Sequence, residues 1–139
     1  MINVINTNHQ RIISRRETIS LITCVLKRED TEESELNLIF VDDNYIKKLN
    51  TTYLKHRWVT DVISFPLNQG TPVEGEIYIC TDQAKRQAKE YRTSYKEEVR
   101  RLIIHGVLHL IGHTDRSKKS REIMRNLEDK YLKICKNEL

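Results

Sequence analysis

Glycine and proline, the residues that most often interrupt regular structure, are scarce: the sequence holds four glycines and two prolines among 139 residues. It has no internal repeat, low-complexity tract or Pro/Gly-rich linker, which excludes repeat architectures and long disordered segments. Its length is typical of one domain. We therefore expect a single domain spanning residues 1–139, with its elements joined by short turns.

Long apolar runs are missing as well. No stretch approaches the ~20 residues that a membrane-spanning helix needs, so we expect no association with a membrane. The first ten residues, MINVINTNHQ, lack the cationic start and the apolar stretch of a secretory signal peptide. The sequence therefore predicts a cytoplasmic protein.

Paired cysteines are absent from the sequence. Cys24, Cys80 and Cys135 are odd in number and far apart, and none forms a CxxC pair, which excludes the redox and metal sites that use that motif. In a reducing compartment we expect all three to be small buried apolar residues with free thiols.

Capping signals and hydrophobic spacing divide the chain into elements. The capping boxes Ser14-x-x-Glu17 and Ser94-x-x-Glu97 predict two helix starts, and Gly112 predicts the end of the second helix. The predicted elements are strand 2–6, helix 14–30, strand 34–42, a helix capped by Asp42 or Asp43, strands 60–66 and 75–80, a helix capped by Thr81 or Asp82 that runs to about Arg92, helix 94–111 and a last helix at about 118–136.

This β-α-β-α-β-β-α-α-α order predicts an α/β (α+β) fold, in which about five helices pack on a small mixed four-stranded sheet. The apolar run Leu38–Val41 is typical of a strand buried on both faces. In the last helix, the spacing predicts inward-facing positions at Ile123, Met124, Leu127, Tyr131 and Ile134.

Three of the five histidines fall within the segment HGVLHLIGHTD, from His105 to Asp115. His105 and His109 are four residues apart on a predicted helix, so both imidazoles can reach one zinc ion at ~2.0–2.1 Å. Gly112 lets the chain turn, and Asp115 can then complete the ligand set from outside the helix. Asp115 is thus the favoured third ligand. His113, two protein ligands only, or no metal are the alternatives.

A glutamate directly after the first histidine is lacking. Zinc peptidases of the HExxH type use that glutamate as general base, and here the position is Gly106, which argues against peptide hydrolysis by that mechanism. An ion with an open position can still lower the pKa of bound water toward ~7 and polarise a phosphoryl oxygen. The net charge of +4 and the pI of about 9.0 mildly favour a polyanionic partner.

The sequence resembles the YbeY family of bacterial endoribonucleases and rRNA maturation factors along nearly its whole length. The resemblance is carried by the histidine segment, by TDVISFP at 60–66 and by GEIYIC at 75–80. The resemblance implies an α/β fold, one zinc ion held by three histidines in HGxLHLxGxDH, and cleavage of single-stranded RNA. It also implies maturation of the 3′ end of 16S ribosomal RNA, ribosome quality control, and the small ribosomal subunit as a partner.

Mapped onto this sequence, the first two family ligands fall on His105 and His109. The third falls on Asp115, where the family usually has histidine, while His113 falls on a position that is usually tyrosine and is not a ligand. An aspartate makes the donor set harder, so manganese or another divalent ion is an alternative to zinc. No catalytic side chain is assigned, and the nucleophile is expected to be water on the metal.

A second departure precedes TDVISFP. The family commonly has an arginine of the active site in an LNxxYR context, and LNTTYLKHRW places Leu54 at that position. We hypothesise that Arg57 or Lys55 binds substrate phosphate instead; solvated loop charges are the alternative. Trp58, the sole tryptophan, follows in this basic loop (residues 55–58), where it either stacks on a base or packs over the core.

Two rival functions stay open at the level of sequence. One is a metal-dependent hydrolase of a non-RNA substrate. The other is a ribosome-associated assembly factor with a mainly structural metal, which the departures at Asp115 and Leu54 favour. The sequence does not predict the oligomeric state.

Overall fold

A computed structural model describes residues 1–7, 13–31, 34–70 and 72–136. Within them the chain forms the predicted β-α-β-α-β-β-α-α-α order and the predicted α+β class, with five helices and a four-stranded mixed sheet. The elements are β1 (Ile2–Asn6), α1 (Arg15–Arg28), β2 (Glu35–Val41), α2 (Asp43–Leu54), β3 (Val62–Pro66), β4 (Glu74–Cys80), α3 (Thr81–Glu90), α4 (Tyr95–Ile111) and α5 (Lys118–Lys136).

The sheet has the strand order β1-β2-β4-β3. β1, β2 and β4 run parallel, and β3 pairs antiparallel with β4 at the edge. β2 is buried on both faces as predicted, because Leu36 and Leu38 enter one core cluster while Ile39 and Val41 enter another. The larger core lies between the sheet and α1, α4 and α5, and α2 packs against the opposite face.

A glycine lets α4 approach the sheet closely. A Cβ atom added at Gly106 would lie 2.6 Å from Cγ2 of Ile77 on β4, a distance that real Cβ contacts do not show. Ser64 of β3 donates a hydrogen bond from Oγ to the Gly106 carbonyl oxygen at 3.2 Å. This contact fixes the height of α4 over β3 and β4, and with it the position of His105.

The predicted N-caps are confirmed: Oγ of Ser14 and of Ser94 each accepts a hydrogen bond from the amide three residues later, and Asp42 caps α2 by accepting a hydrogen bond from the Tyr45 amide. The predicted cap of α3 is wrong. Its N-cap is Cys80, without a side-chain bond, because Thr81 donates to the Val41 carbonyl and Asp82 accepts from the Asp43 amide. Both side chains therefore tie α3 to its neighbours, and the helix ends at Glu90.

On α5, Met124 and Tyr131 are buried as predicted, and Leu127 and Ile134 are partly buried. Ile123 is 46% exposed, so its predicted inward position is wrong. The buried stripe of α5 instead includes a charged residue, Glu128. The hydrophobic periodicity predicted which face of α5 is buried but not the boundaries of that face, since half-buried positions beside it carry either apolar or polar side chains.

The cysteines follow the sequence expectation in part. All three are buried, and Cys80 is free. Cys24 and Cys135, however, form a disulfide with a Cα–Cα distance of 5.8 Å, so the expectation of free thiols was wrong for this pair. They are 111 residues apart in sequence, and only the packing of α1 against α5 brings them together. None of the described helices has the length and apolar character needed to cross a membrane.

Candidate metal centre

The helix α4 carries both histidines of the predicted metal pair. Their rings lie one turn apart on the same face, almost parallel at 6° with centroids 6.4 Å apart. The helix ends at Gly112, whose φ of 119° is reached without strain by glycine. The amides of Gly112 and His113 donate to carbonyls of the last turn, so the chain leaves the helix axis immediately and returns toward His105.

His105 has its two ring nitrogens in different environments. Nδ1 lies 2.7 Å from Oε2 of Glu128. A carboxylate only accepts hydrogen bonds, so Nδ1 carries the proton and Nε2 keeps its lone pair. Nε2 lies 3.8 Å from Oδ2 of Asp115. This is the arrangement found in metal-binding histidines, where a carboxylate fixes the tautomer and the other nitrogen faces the ion.

The donor pair fits a divalent ion. Two atoms bound to one ion at ~2.0–2.1 Å with tetrahedral geometry lie about 3.3 Å apart, so His105 Nε2 and Asp115 Oδ2 need to approach by only about 0.5 Å. An imidazole with a carboxylate suits zinc or a harder divalent ion. His109 is exposed, and the three predicted ligands do not bring three donor atoms within 4.8 Å of one another, so side-chain movement has to precede the binding of one ion by all three.

The charges around His105 match a role in metal binding. Burial lowers the pKa of His105, but the hydrogen bond and charge of Glu128, with the charges of Asp61 and Asp115, outweigh burial and raise the pKa overall. Three carboxylates thus surround one imidazole, which is the electrostatic environment that favours a cation.

Glu128 is itself held in place. It is buried on α5, and Arg101 of α4 donates from Nη1 to its Oε1 at 3.1 Å. The second guanidinium nitrogen, Nη2, donates to Asp129 at 2.7 Å. Sequence spacing did not indicate Glu128, because it is 23 residues from His105. The available signal was a carboxylate on the buried stripe of an amphipathic helix, between Met124 and Tyr131.

His113 takes part in a different contact. Its Nε2 lies 2.8 Å from Oε1 of Glu29, beyond the end of α1. Tyr131 donates from its hydroxyl to the other oxygen of Glu29. His113 therefore links the end of α4 to α1 and α5, while Asp115, two residues on, faces His105.

A cleft of about 250 Å³ opens beside His105 and Asp115, lined further by Asp61, Gln87, Glu98, Arg121 and Arg125. Gln87 donates from Nε2 to Asp61 at 3.2 Å and to Glu98 at 2.8 Å. Arg121 donates from Nη1 to the backbone oxygen of Asp115 at 3.3 Å. The cleft therefore combines two of the three predicted metal ligands with buried carboxylates and with two exposed arginines that were not among the predicted site residues, whereas His109 does not line it.

The basic loop lies outside this cleft. Leu54 is the last residue of α2 and Lys55 is its C-cap with a φ of 58°. Lys55, His56 and Arg57 are exposed, and none of them lines the cleft beside His105. Trp58 is 59% exposed, so the alternative that it packs over the core is wrong.

A second cluster of possible metal donors lies between α2 and α3. Among the described residues, only Asp43, Cys80 and Asp82 bring three donor atoms within 4.8 Å of one another. Arg86 occupies both oxygens of Asp43, at 2.6 and 3.0 Å, and lowers the pKa of that carboxyl. Burial raises the pKa of the Cys80 thiol to about 12, so the thiol is protonated at neutral pH. The cluster is chemically better matched to its arginine than to a metal ion.

A family model described as "Endoribonuclease YbeY" matches residues 3–136. Among curated proteins, the "Endoribonuclease YbeY" of Flavobacterium psychrophilum is 40% identical over 122 residues, which cover 86% of this chain and 87% of that protein. That of Chloroherpeton thalassium is 42% identical over 111 residues, 80% of this chain and 79% of that protein. The solution structure of TM1509 from Thermotoga maritima has a TM-score of 0.72 at 26% identity, over 99% of this chain and 91% of that one.

Proposed function

Because the chain belongs to the YbeY endoribonuclease family, we propose that it is a metal-dependent endoribonuclease that cleaves single-stranded RNA. The observation that carries the metal dependence is the environment of His105, whose Nδ1 proton is held by Glu128 while Nε2 faces Asp115. Both contacts are those that a metal-binding imidazole needs.

His105, His109 and Asp115 are the proposed holders of the ion, with zinc or another divalent metal as its identity. Such an ion supplies Lewis acidity to a phosphodiester oxygen and lowers the pKa of water. The chain's own part is to fix His105 through Glu128 and Arg101, and to keep the other carboxylates hydrogen-bonded through Gln87.

Cations in and beside the cleft are the proposed phosphate contacts. Arg121 and Arg125 line it directly and are exposed, so their guanidinium groups are available to the developing charge of the scissile phosphate. Arg57 and Lys55, the candidates from the sequence, lie outside the cleft. We place them on phosphates of flanking nucleotides, where they contribute salt-dependent affinity.

The family membership supports a more specific role. We propose ribosomal RNA as the substrate, with maturation of the 3′ end of 16S ribosomal RNA, ribosome quality control, the small subunit as the partner and the cytoplasm as the location. The positive net charge of +4 is compatible with a polyanionic partner.

The decisive experiment measures RNA cleavage and metal content on the same preparations. Wild type should cut a single-stranded RNA, lose that activity with a chelator, and regain it with zinc or manganese. Asp115→Ala should lose bound metal by elemental analysis, whereas His113→Ala, the matched control, should retain it because His113 bonds Glu29. Metal lost in His113→Ala and kept in Asp115→Ala would overturn the ligand assignment.

Two observations favour a second candidate function. Asp115 stands where the family usually has its third histidine, and Leu54 stands where it commonly has an active-site arginine; both departures favour an assembly factor whose metal is structural. That candidate predicts ribosome binding that survives His109→Ala, together with the absence of metal-dependent cleavage by wild type. Activity on esters or peptides, with none on RNA, would instead indicate a hydrolase of another substrate class.

A further inference from the structure

We propose that the basic loop, residues 55–58, is a stacking platform that takes one base of a single-stranded RNA beside the metal cleft. The proposal rests on the proposed function, because it assigns a binding surface to the same RNA substrate. It concerns a part of the chain that does not line the cleft.

The platform consists of two stacked rings. The rings of His56 and Trp58 lie 4.2 Å apart with an interplanar angle of 29°. Trp58 is 59% exposed although it is the sole tryptophan and the largest side chain of the sequence. A flat aromatic surface of this kind accepts any nucleobase, because every base has a π-face.

The loop is held rigidly from beneath by α2. Asn50, which is 2% exposed, donates from Nδ2 to the carbonyl oxygen of Trp58 at 2.9 Å, and its own carbonyl accepts from the amide of His56 at 3.0 Å. Thr51 donates from Oγ1 to the carbonyl oxygen of His56 at 3.1 Å. A surface fixed before binding loses little conformational freedom when the ligand arrives.

The positive charge around the basic loop favours a nucleic acid as the ligand of the stacking platform. Residues 44–60 contain Lys47, Lys48, Lys55 and Arg57 and no aspartate or glutamate. The two cations that flank His56 can follow a phosphate backbone while the indole holds a base, which is how single strands are bound without sequence preference. Arg57 directly precedes the indole and Lys55 lies two residues before it in the loop, and both cations are exposed, which favours a polyanion as the ligand.

The position of the loop suits a single strand of RNA that enters the cleft. Asp61 lines the cleft and follows Trp58 by three residues, a separation that the chain spans in at most about 11 Å. Trp58 therefore lies within about 11 Å of a residue that lines the cleft, a distance that one RNA single strand can span between a base stacked on Trp58 and a phosphate near His105.

The test uses the sole tryptophan as its probe. Wild-type protein is titrated with a short uridine-rich RNA whose phosphorothioate linkages resist cleavage, and indole emission is recorded beside the anisotropy of the labelled RNA. We expect saturable quenching of Trp58 at the same RNA concentration that raises the anisotropy. Duplex RNA of the same length should leave the emission unchanged, and equal quenching by duplex would overturn the proposal.

Substitutions complete the test. Trp58→Ala should weaken single-strand binding by about 10-fold, Trp58→Phe should restore most of it, and Leu67→Ala, which removes another exposed apolar side chain, should have no effect. Thermal melting confirms that each variant is folded. If Trp58→Ala binds and cuts RNA like wild type, the platform is wrong and the proposed function stands. If RNA quenches Trp58 but no metal-dependent cut is seen, the platform stands and the proposed function is wrong.

Discussion

Glu128 determines which nitrogen of His105 is available to an ion, through a 2.7 Å contact with Nδ1. We expect Glu128→Gln to lower metal affinity by about 10–100-fold, the usual effect of losing such a carboxylate. The neutral amide holds the imidazole less firmly and removes a negative charge beside it. A competition titration with a chromophoric chelator measures the change.

Asp129→Asn is the matched control for that experiment. Asp129 shares Arg101 with Glu128 but does not contact His105, so metal affinity should stay close to that of wild type. Equal losses in the two variants would mean that Glu128 acts through Arg101 and the packing of α5, and not through the imidazole.

The carboxyl of Glu98, which lines the cleft, makes the stability of the fold depend on pH. Burial, joined by the charges of Asp61 and Glu128, raises its pKa above the ordinary 4.5, although the hydrogen bond from Gln87 and the charge of Arg101 oppose this. The folded protein then binds the proton more tightly than the unfolded chain, so stability falls as pH rises from about 4.5 through the raised value.

We therefore expect Glu98→Gln to raise the melting temperature of the metal-free protein by a few degrees at pH 7 and by nothing near pH 4, because glutamine keeps an oxygen for Gln87 and has no charge to bury. Melting curves of both proteins across this pH range test it. A variant that is less stable than wild type at pH 7 would contradict the sign.

Local spacing predicted that His105 and Asp115 lie near each other, as their 3.8 Å contact shows, but it did not predict their partners. The two residues belong to one helix and the turn that follows it, where Gly112 dictates the path of the chain. Glu128 and Asp61 reach the same cleft from α5 and from the start of β3. Their position in the cleft depends on how α5 and β3 pack against the rest of the fold, and residue spacing along the sequence does not indicate that packing.

The close approach of α4 to the sheet makes Gly106 sensitive to any side chain. Gly106→Ala should lower the free energy of unfolding by about 1–3 kcal/mol, the usual range for overpacking a core, because its Cβ meets Cγ2 of Ile77 at 2.6 Å. Denaturant unfolding measures the loss.

A double-mutant cycle with Ile77→Ala identifies the cause. Removing Cγ2 makes room for the new methyl group, so the double variant should lose less stability than the sum of the two single variants. Strict additivity would mean that the methyl group added at Gly106 acts through some other contact.

Prediction at the scale of elements succeeded where a signal is local. Ser14, Asp42 and Ser94 cap their helices as the sequence indicates. At α3 the same residue types mislead, because Thr81 and Asp82 bond to β2 and α2 instead of their own helix. A capping residue next to a neighbouring element has partners that the sequence pattern does not reveal.

For the whole molecule, the disulfide between Cys24 and Cys135 joins α1 to α5 across a sequence separation of 111 residues. Reduction should lower the free energy of unfolding by about 2–5 kcal/mol, mainly because the unfolded chain regains freedom. Melting curves with and without reductant measure this, and the double variant Cys24→Ala/Cys135→Ala should show no response to reductant.

The order of the elements predicted the fold class because alternating strands and helices admit few arrangements. It did not predict the strand order β1-β2-β4-β3, in which β4 inserts beside β2 and leaves β3 at the edge. Nor did it predict the disulfide, since pairing across 111 residues depends on how α1 and α5 meet in the finished core.

The contact of Gly106 with Ile77 also restricts how this protein can change during evolution. A single-base change converts some glycine codons to glutamate, and at position 106 that change would complete the HExxH motif of zinc peptidases. The first carbon of the new side chain would collide with β4 before its carboxylate reached any ion. A single mutation can therefore create the peptidase motif. Selection for a folded protein would eliminate that variant unless Ile77 on β4 had already been replaced by a smaller residue.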